Sequence, residues 1–121
     1  MVSLDMDGAY DFNSSAIDKN VTKISSGNYA LGYLEKREEK DTFIVQYVGR
    51  SDSDINKELK ARLPLKHPKF KFSYATSPKD AFGEECRNYH DFGGSKELEN
   101  KVHPARPANT DWKCPSCNIF D

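Results

Sequence analysis

At 121 residues the chain has room for one domain and one real core, but not for two. A net charge of −1 hides strong local variation: 31% of residues are charged and mean hydropathy is −0.81, so the core must be small and supplied largely by seven Phe and six Tyr. No run approaches the ~18 apolar residues that span a bilayer, and MVSLDMDGAYDF has neither the basic start nor the apolar centre of an export signal. The expected location is therefore cytoplasmic, where three cysteines read as reduced thiols or metal ligands rather than crosslinks.

Residues 1–26 read as an N-terminal extension with one helix. Ala9-Tyr10-Asp11-Phe12 suits a short edge strand. Ser14 or Ser15 can cap a helix running to about Ile24, with Ile17, Val21 and Ile24 as its buried stripe at i, i+4, i+7. Ser25-Ser26-Gly27 breaks it.

Gly27 to Gly49 reads as a β-hairpin. The runs Tyr29–Leu34 and Thr42–Val48 are rich in β-branched and aromatic residues, and a charged connection spans Glu35 to Asp41. Gly27-Asn28-Tyr29 opens the first strand and Tyr47-Val48-Gly49 closes the second, so antiparallel pairing brings Tyr29 and Tyr47 to one edge of the sheet. This punctuation, continued by Arg50-Ser51, resembles the GIY-YIG nuclease superfamily. Asn28 stands where that family usually carries an apolar residue.

Arg50-Ser51-Asp52-Ser53-Asp54 supplies caps for a helix from about Ile55 to Leu63 that buries Ile55 and Leu59 and ends at Pro64. Asn56 to Lys71 carries Lys57, Lys60, Arg62, Lys66, Lys69 and Lys71 against Glu58 alone. That excess suits a solvated helix face or, more sharply, a surface that neutralises phosphates together with Arg50. Phe70, Phe72 and Tyr74 alternate with Lys71, Ser73 and Ala75 as a third strand.

Ser77-Pro78-Lys79-Asp80 starts a helix that runs to about Phe92, with Gly93-Gly94 as its stop. Ala81, Phe82, Glu85, Tyr89 and Phe92 share one stripe, with Glu85 near its centre and Glu84 off it. A carboxylate on a core-facing stripe needs a partner: a lysine, or a divalent cation such as Mg²⁺ or Mn²⁺.

The tail, 102–121, contains the Cys114-Pro115-Ser116-Cys117 knuckle, half of a tetrahedral zinc site. Cys86 and His90, spaced i, i+4 on one face of the preceding helix, can supply the other half, with His103 the rival to His90. A redox role for the knuckle lacks a surrounding thioredoxin-like βαβ pattern.

The expected fold is thus α+β: a small three-stranded, mainly antiparallel sheet flanked by helices over 27–101, plus the zinc-stapled tail. The strand and helix order extends the resemblance across these residues, with Asn100 as the family's late asparagine. It implies metal-dependent endonuclease cleavage of nucleic acid, with DNA the expected partner. Tyr29 is then the general base, Tyr47 orients water or phosphate, Glu85 carries Mg²⁺ or Mn²⁺, and Asn100 supports the site. The family's arginine position falls on Glu58, which repels phosphate. Arg62, one turn later, and Arg50, beside the motif, are the substitutes; without them the fold is a binding module for nucleic acid or protein. Nothing suggests a membrane or a nucleotide cofactor.

Overall fold

The computed structural model describes residues 6–63, 67–107 and 109–120, so Pro64 and Lys66 lie outside the described residues. In chain order the elements are β1 (Asp7–Asp11), α1 (Ser14–Asn20), β2 (Gly27–Arg37), β3 (Lys40–Ser51), α2 (Ile55–Ala61), β4 (Lys69–Tyr74), α3 (Pro78–Asp91) and α4 (Gly94–Glu97). The sheet has four strands, not three, in the order β1-β4-β2-β3, and every pair is antiparallel.

The N-terminal segment is part of this fold rather than an extension from it. β1 pairs with β4 along its outer edge, and α1 sinks Ile17 and Val21 into the main core. Asn13, not Ser14 or Ser15, caps α1 by accepting from Ala16 N, and the helix ends at Asn20. Ile24, expected on the buried stripe, is therefore beyond the last turn and 88% exposed.

Two layers of helix cover the sheet. On one face Tyr29, Leu31, Phe70 and Phe72 pack against Ile17 and Val21 of the α1 region and Ile55 and Leu59 of α2. Each fully buried aliphatic or aromatic side chain of this kind contributes roughly 1.5–3 kcal/mol relative to exposure. On the other face Ala30 and Val48 meet Tyr89 of α3 and Leu98. A third cluster, Phe82, Cys86 and Cys114 with Trp112, Cys117 and Phe120, attaches the tail to α3.

The hairpin is longer than the apolar runs suggest. Its strands continue through the charged residues to a two-residue turn, Glu38-Glu39, with φ of 50° and 68°. Positive φ at both central positions matches the right-handed strand twist, but Asn and Gly usually provide it, so two glutamates gave no turn signal. Closer to the core, the pairing shifts between Leu31 and Gly32, leaving Gln46 as the extra residue of a bulge.

Edge strand β3 is not left bare. Glu99 N donates to Gln46 O, and the Asn100 side chain both donates to Val48 O (2.8 Å) and accepts from Val48 N (3.0 Å). This amide clamp continues the ladder where an open edge would invite foreign strands.

Candidate functional site

A cleft of about 420 Å³ opens at the end of β3, lined by Tyr29, Tyr47, Arg50, Glu58, Arg62 and Glu85 among others. Four elements meet there, and the local geometry explains how. Tyr29 pairs with Gly49 and Leu31 with Tyr47 across β2 and β3, so the two tyrosines sit diagonally on one face, with rings 6.3 Å apart and stacked at 21°. Gly49 is required by this arrangement. A Cβ there would lie 2.3 Å from the Tyr29 ring and hydroxyl, far inside contact distance.

Crossing Gly49, the Tyr29 hydroxyl donates to Glu58 Oε2 at 3.0 Å, and Arg62 Nε donates to the same oxygen at 2.9 Å. Asp54 fixes this end of α2 by capping Asn56 N and Lys57 N. Glu58, at the position expected for arginine, thus carries the next-turn arginine beside the tyrosines. Burial, and then the Glu58 charge, push the Tyr29 phenol far above its ordinary value, so it remains a donor at neutral pH.

Glu85 reaches the same cleft from α3. Its Oε1 accepts from Arg50 Nη1 at 2.5 Å, while Arg50 Nε donates to Asp52 and Nη2 to the Ala105 carbonyl. The Arg50 guanidinium also lies 5.1 Å from the centre of the Phe82 ring. Burial raises the Glu85 carboxyl above its ordinary range, and Arg50 opposes that shift. The lysine considered as its partner is therefore an arginine.

Of the residues expected in the site, Tyr29, Tyr47, Arg50, Arg62 and Glu85 converge. Asn100 does not line the cleft; it holds the Tyr47–Gly49 stretch through Val48. Among the described residues of the basic run, two lysines are paired with acids. Lys60 pairs with Asp18 at 2.6 Å and Lys69 with Asp11, Lys71 lies over Phe43, and Lys57 is exposed. Acids distant in sequence neutralise Lys60 and Lys69, which counting along the chain cannot reveal.

A second group gathers where the tail returns to α3. One donor atom from each of His90, His103, Cys114 and Cys117 lies within 4.8 Å of the others, and the group can hold a metal ion. His90 Nε2 is 3.2 Å from His103 Nε2, which is 3.4 Å from Cys117 Sγ. His103 Nδ1 lies 2.9 Å from the Pro104 carbonyl; donating there turns the Nε2 lone pair toward the cluster. Burial and the neighbouring His103 ring hold His90 below its ordinary pKa, favouring the neutral, ligating form.

Cys86 is outside this group, and His103 takes the place expected for it. Cys86 is fully buried one turn before His90, its thiol raised by burial and by contact with Cys114. It packs with Phe82 and Cys114 beside the cluster. The shared helix face was legible; the depth of each residue along the helix was not. Among the described residues no helix is long and apolar enough to cross a membrane. No protein-family model, curated protein or solved structure matches this chain, and the two sites stand on their own side chains.

Proposed function

We propose that this chain is a divalent-metal-dependent endonuclease of the GIY-YIG kind that hydrolyses nucleic-acid phosphodiesters, DNA being the expected substrate. The observation that carries the reading is the convergence of two tyrosines, two arginines and a buried glutamate in one cleft at the end of β3. Glu85 is a buried carboxylate at the wall of the cleft, a hard oxygen ligand of the kind a divalent cation takes with water completing its shell. Glu85 would hold Mg²⁺ or Mn²⁺, which when bound would supply Lewis-acid stabilisation of negative charge on the phosphate.

The chain's own groups do the rest. Tyr29, held as a donor to Glu58, can accept a proton from an attacking water as its own passes to Glu58 Oε2. Tyr47, stacked beside it, orients that water or the phosphate. Arg62 and Arg50 face developing negative charge with planar, permanently charged forks, and Arg62 brings its charge next to Glu58. Asn100 keeps Tyr47 in place from outside the cleft.

The tail is read as a structural zinc site. Ligand atoms about 2.0–2.3 Å from a tetrahedral zinc stand roughly 3.3–3.8 Å apart. Separations of 3.2 and 3.4 Å among the imidazole and thiol atoms support that metal.

A second reading has an observation of its own. Arg50 neutralises Glu85, and Arg62 neutralises Glu58, so the charges of the cleft already satisfy one another. A catalytically silent binding module would look the same. Plasmid nicking with Mg²⁺ or Mn²⁺ decides. Wild type is expected to nick, and Glu85→Ala to lose at least about 100-fold while keeping its zinc. Silence in wild type with cleavage gained in Glu58→Arg would establish a disarmed nuclease; silence in both would remove the hydrolytic reading.

A further inference from the structure

A second groove, about 560 Å³, lies between the end of β4, the first turns of α3 and the tail, with Phe82 in its wall. The cleft chemistry does not use it. Its volume is that of a site for a compact organic group. Trp112, half-buried, packs on Phe82 with ring centres 6.0 Å apart, and on the α3 side Lys79 and Arg87 stand with Asp80 and Glu84, Arg87 donating to Glu84 at 2.9 Å.

Two residues that packing alone does not explain both open onto this groove. Gly83 is inside α3, where glycine is a poor helix former, yet a Cβ there would meet nothing within 4 Å. The missing side chain relieves no clash; it leaves the groove open. Asn28 interrupts the otherwise apolar centre of β2 and is 2% exposed. Its Nδ2 donates to Ala81 O at 2.8 Å, but among the described residues nothing donates to its Oδ1. A buried amide with a spare acceptor at the rim of a cavity is suited to an N–H of a ligand.

We propose that this groove receives one nucleobase of a single-stranded segment, next to the phosphate held in the cleft. The base stacks on Trp112, gives an N–H to Asn28 Oδ1, and places its phosphate near Lys79 and Arg87. Any base offers a stackable face, and cations at the rim suit the backbone. Phe82 lines the groove and meets Arg50 of the cleft, so a strand bound across both sites would pass this contact. The proposal rests on the nucleic-acid reading of the cleft but not on cleavage.

Trp112 is the sole tryptophan, so its fluorescence reports the groove directly. Zinc-loaded protein without added Mg²⁺ would be titrated with oligo-dT of eight nucleotides, a blunt duplex of the same length, and inorganic phosphate. The expected result is saturable quenching by the single strand, at least about five-fold tighter than by the duplex. Gly83→Leu, which fills the groove, should weaken single-strand binding about ten-fold or more; Gly83→Ala should retain it and serve as the folded control. No quenching by oligo-dT, equal quenching by phosphate alone, or unchanged affinity in a folded Gly83→Leu protein would overturn the proposal. Nicking without quenching removes the groove and leaves the hydrolase; quenching that Gly83→Leu abolishes, without nicking, does the reverse.

Discussion

Tyr29 combines nearly complete burial with a hydroxyl that must cross a glycine to find its acceptor. Replacing it by Phe keeps the ring's packing and removes one hydrogen bond to a charged oxygen that still has Arg62. The expected cost is about 1–2 kcal/mol, read from urea denaturation, together with loss of nicking. The pH dependence has a definite sign. The folded phenol is raised far above its ordinary value near 10, so its stabilising contribution is complete below that pH and is lost as pH rises and the unfolded chain ionises. The difference in stability between wild type and Tyr29→Phe should therefore be flat to about pH 9 and shrink above about 10. A difference that stays flat through pH 11 would mean that Tyr29 ionises in place like a free phenol. The two tyrosines and Glu85 were legible because motif and periodicity both pointed at them. The role of Glu58 was not: a carboxylate that anchors an arginine and one that repels phosphate are the same letter in a sequence.

Elements were legible where a side-chain period met a core. The α3 stripe held because Ala81, Phe82, Glu85 and Tyr89 are all buried at 3.6-residue spacing. The α1 stripe failed at Ile24 because three residues of matching period do not say where a helix stops. The hairpin arm failed for another reason: beyond the core its strands are held by their own ladder, and no apolar pattern marks them. Gly83 offers a test at this scale. Alanine there fits without contact, improves helix propensity and reduces unfolded-state freedom, so Gly83→Ala should stabilise the protein by about 0.4–1 kcal/mol. A lower denaturation midpoint would show that the open space next to Gly83 is already filled by something the helix needs.

Across the whole molecule, the sheet and its two helical layers have cores of their own, whereas the tail is attached through Phe82, its aromatic neighbours and the His–Cys group. One zinc per chain is expected in the tail. A chelator should lower Tm by about 10 °C or more and shift Trp112 fluorescence, with little change in far-ultraviolet dichroism. Unchanged melting on complete metal removal would rule out a structural role for the ion. The Cys-x-x-Cys pair and both histidines announced this site, but that His103 joins His90 in place of Cys86 depends on how the tail returns to α3, which spacing alone does not encode. Arg50 then gives the assembly a property of its own. It spends Nε on the loop after β3, Nη1 on α3 and Nη2 on the tail. One N–H on each terminal nitrogen is left over, so an anion can meet this guanidinium while its charge competes with Glu85 and Asp52 for the same cation. To the extent that an anion in the cleft alters the Arg50–Ala105 contact, occupancy of the cleft and attachment of the tail are linked, and by reciprocity a change in the tail's attachment changes the cleft's affinity by the same factor.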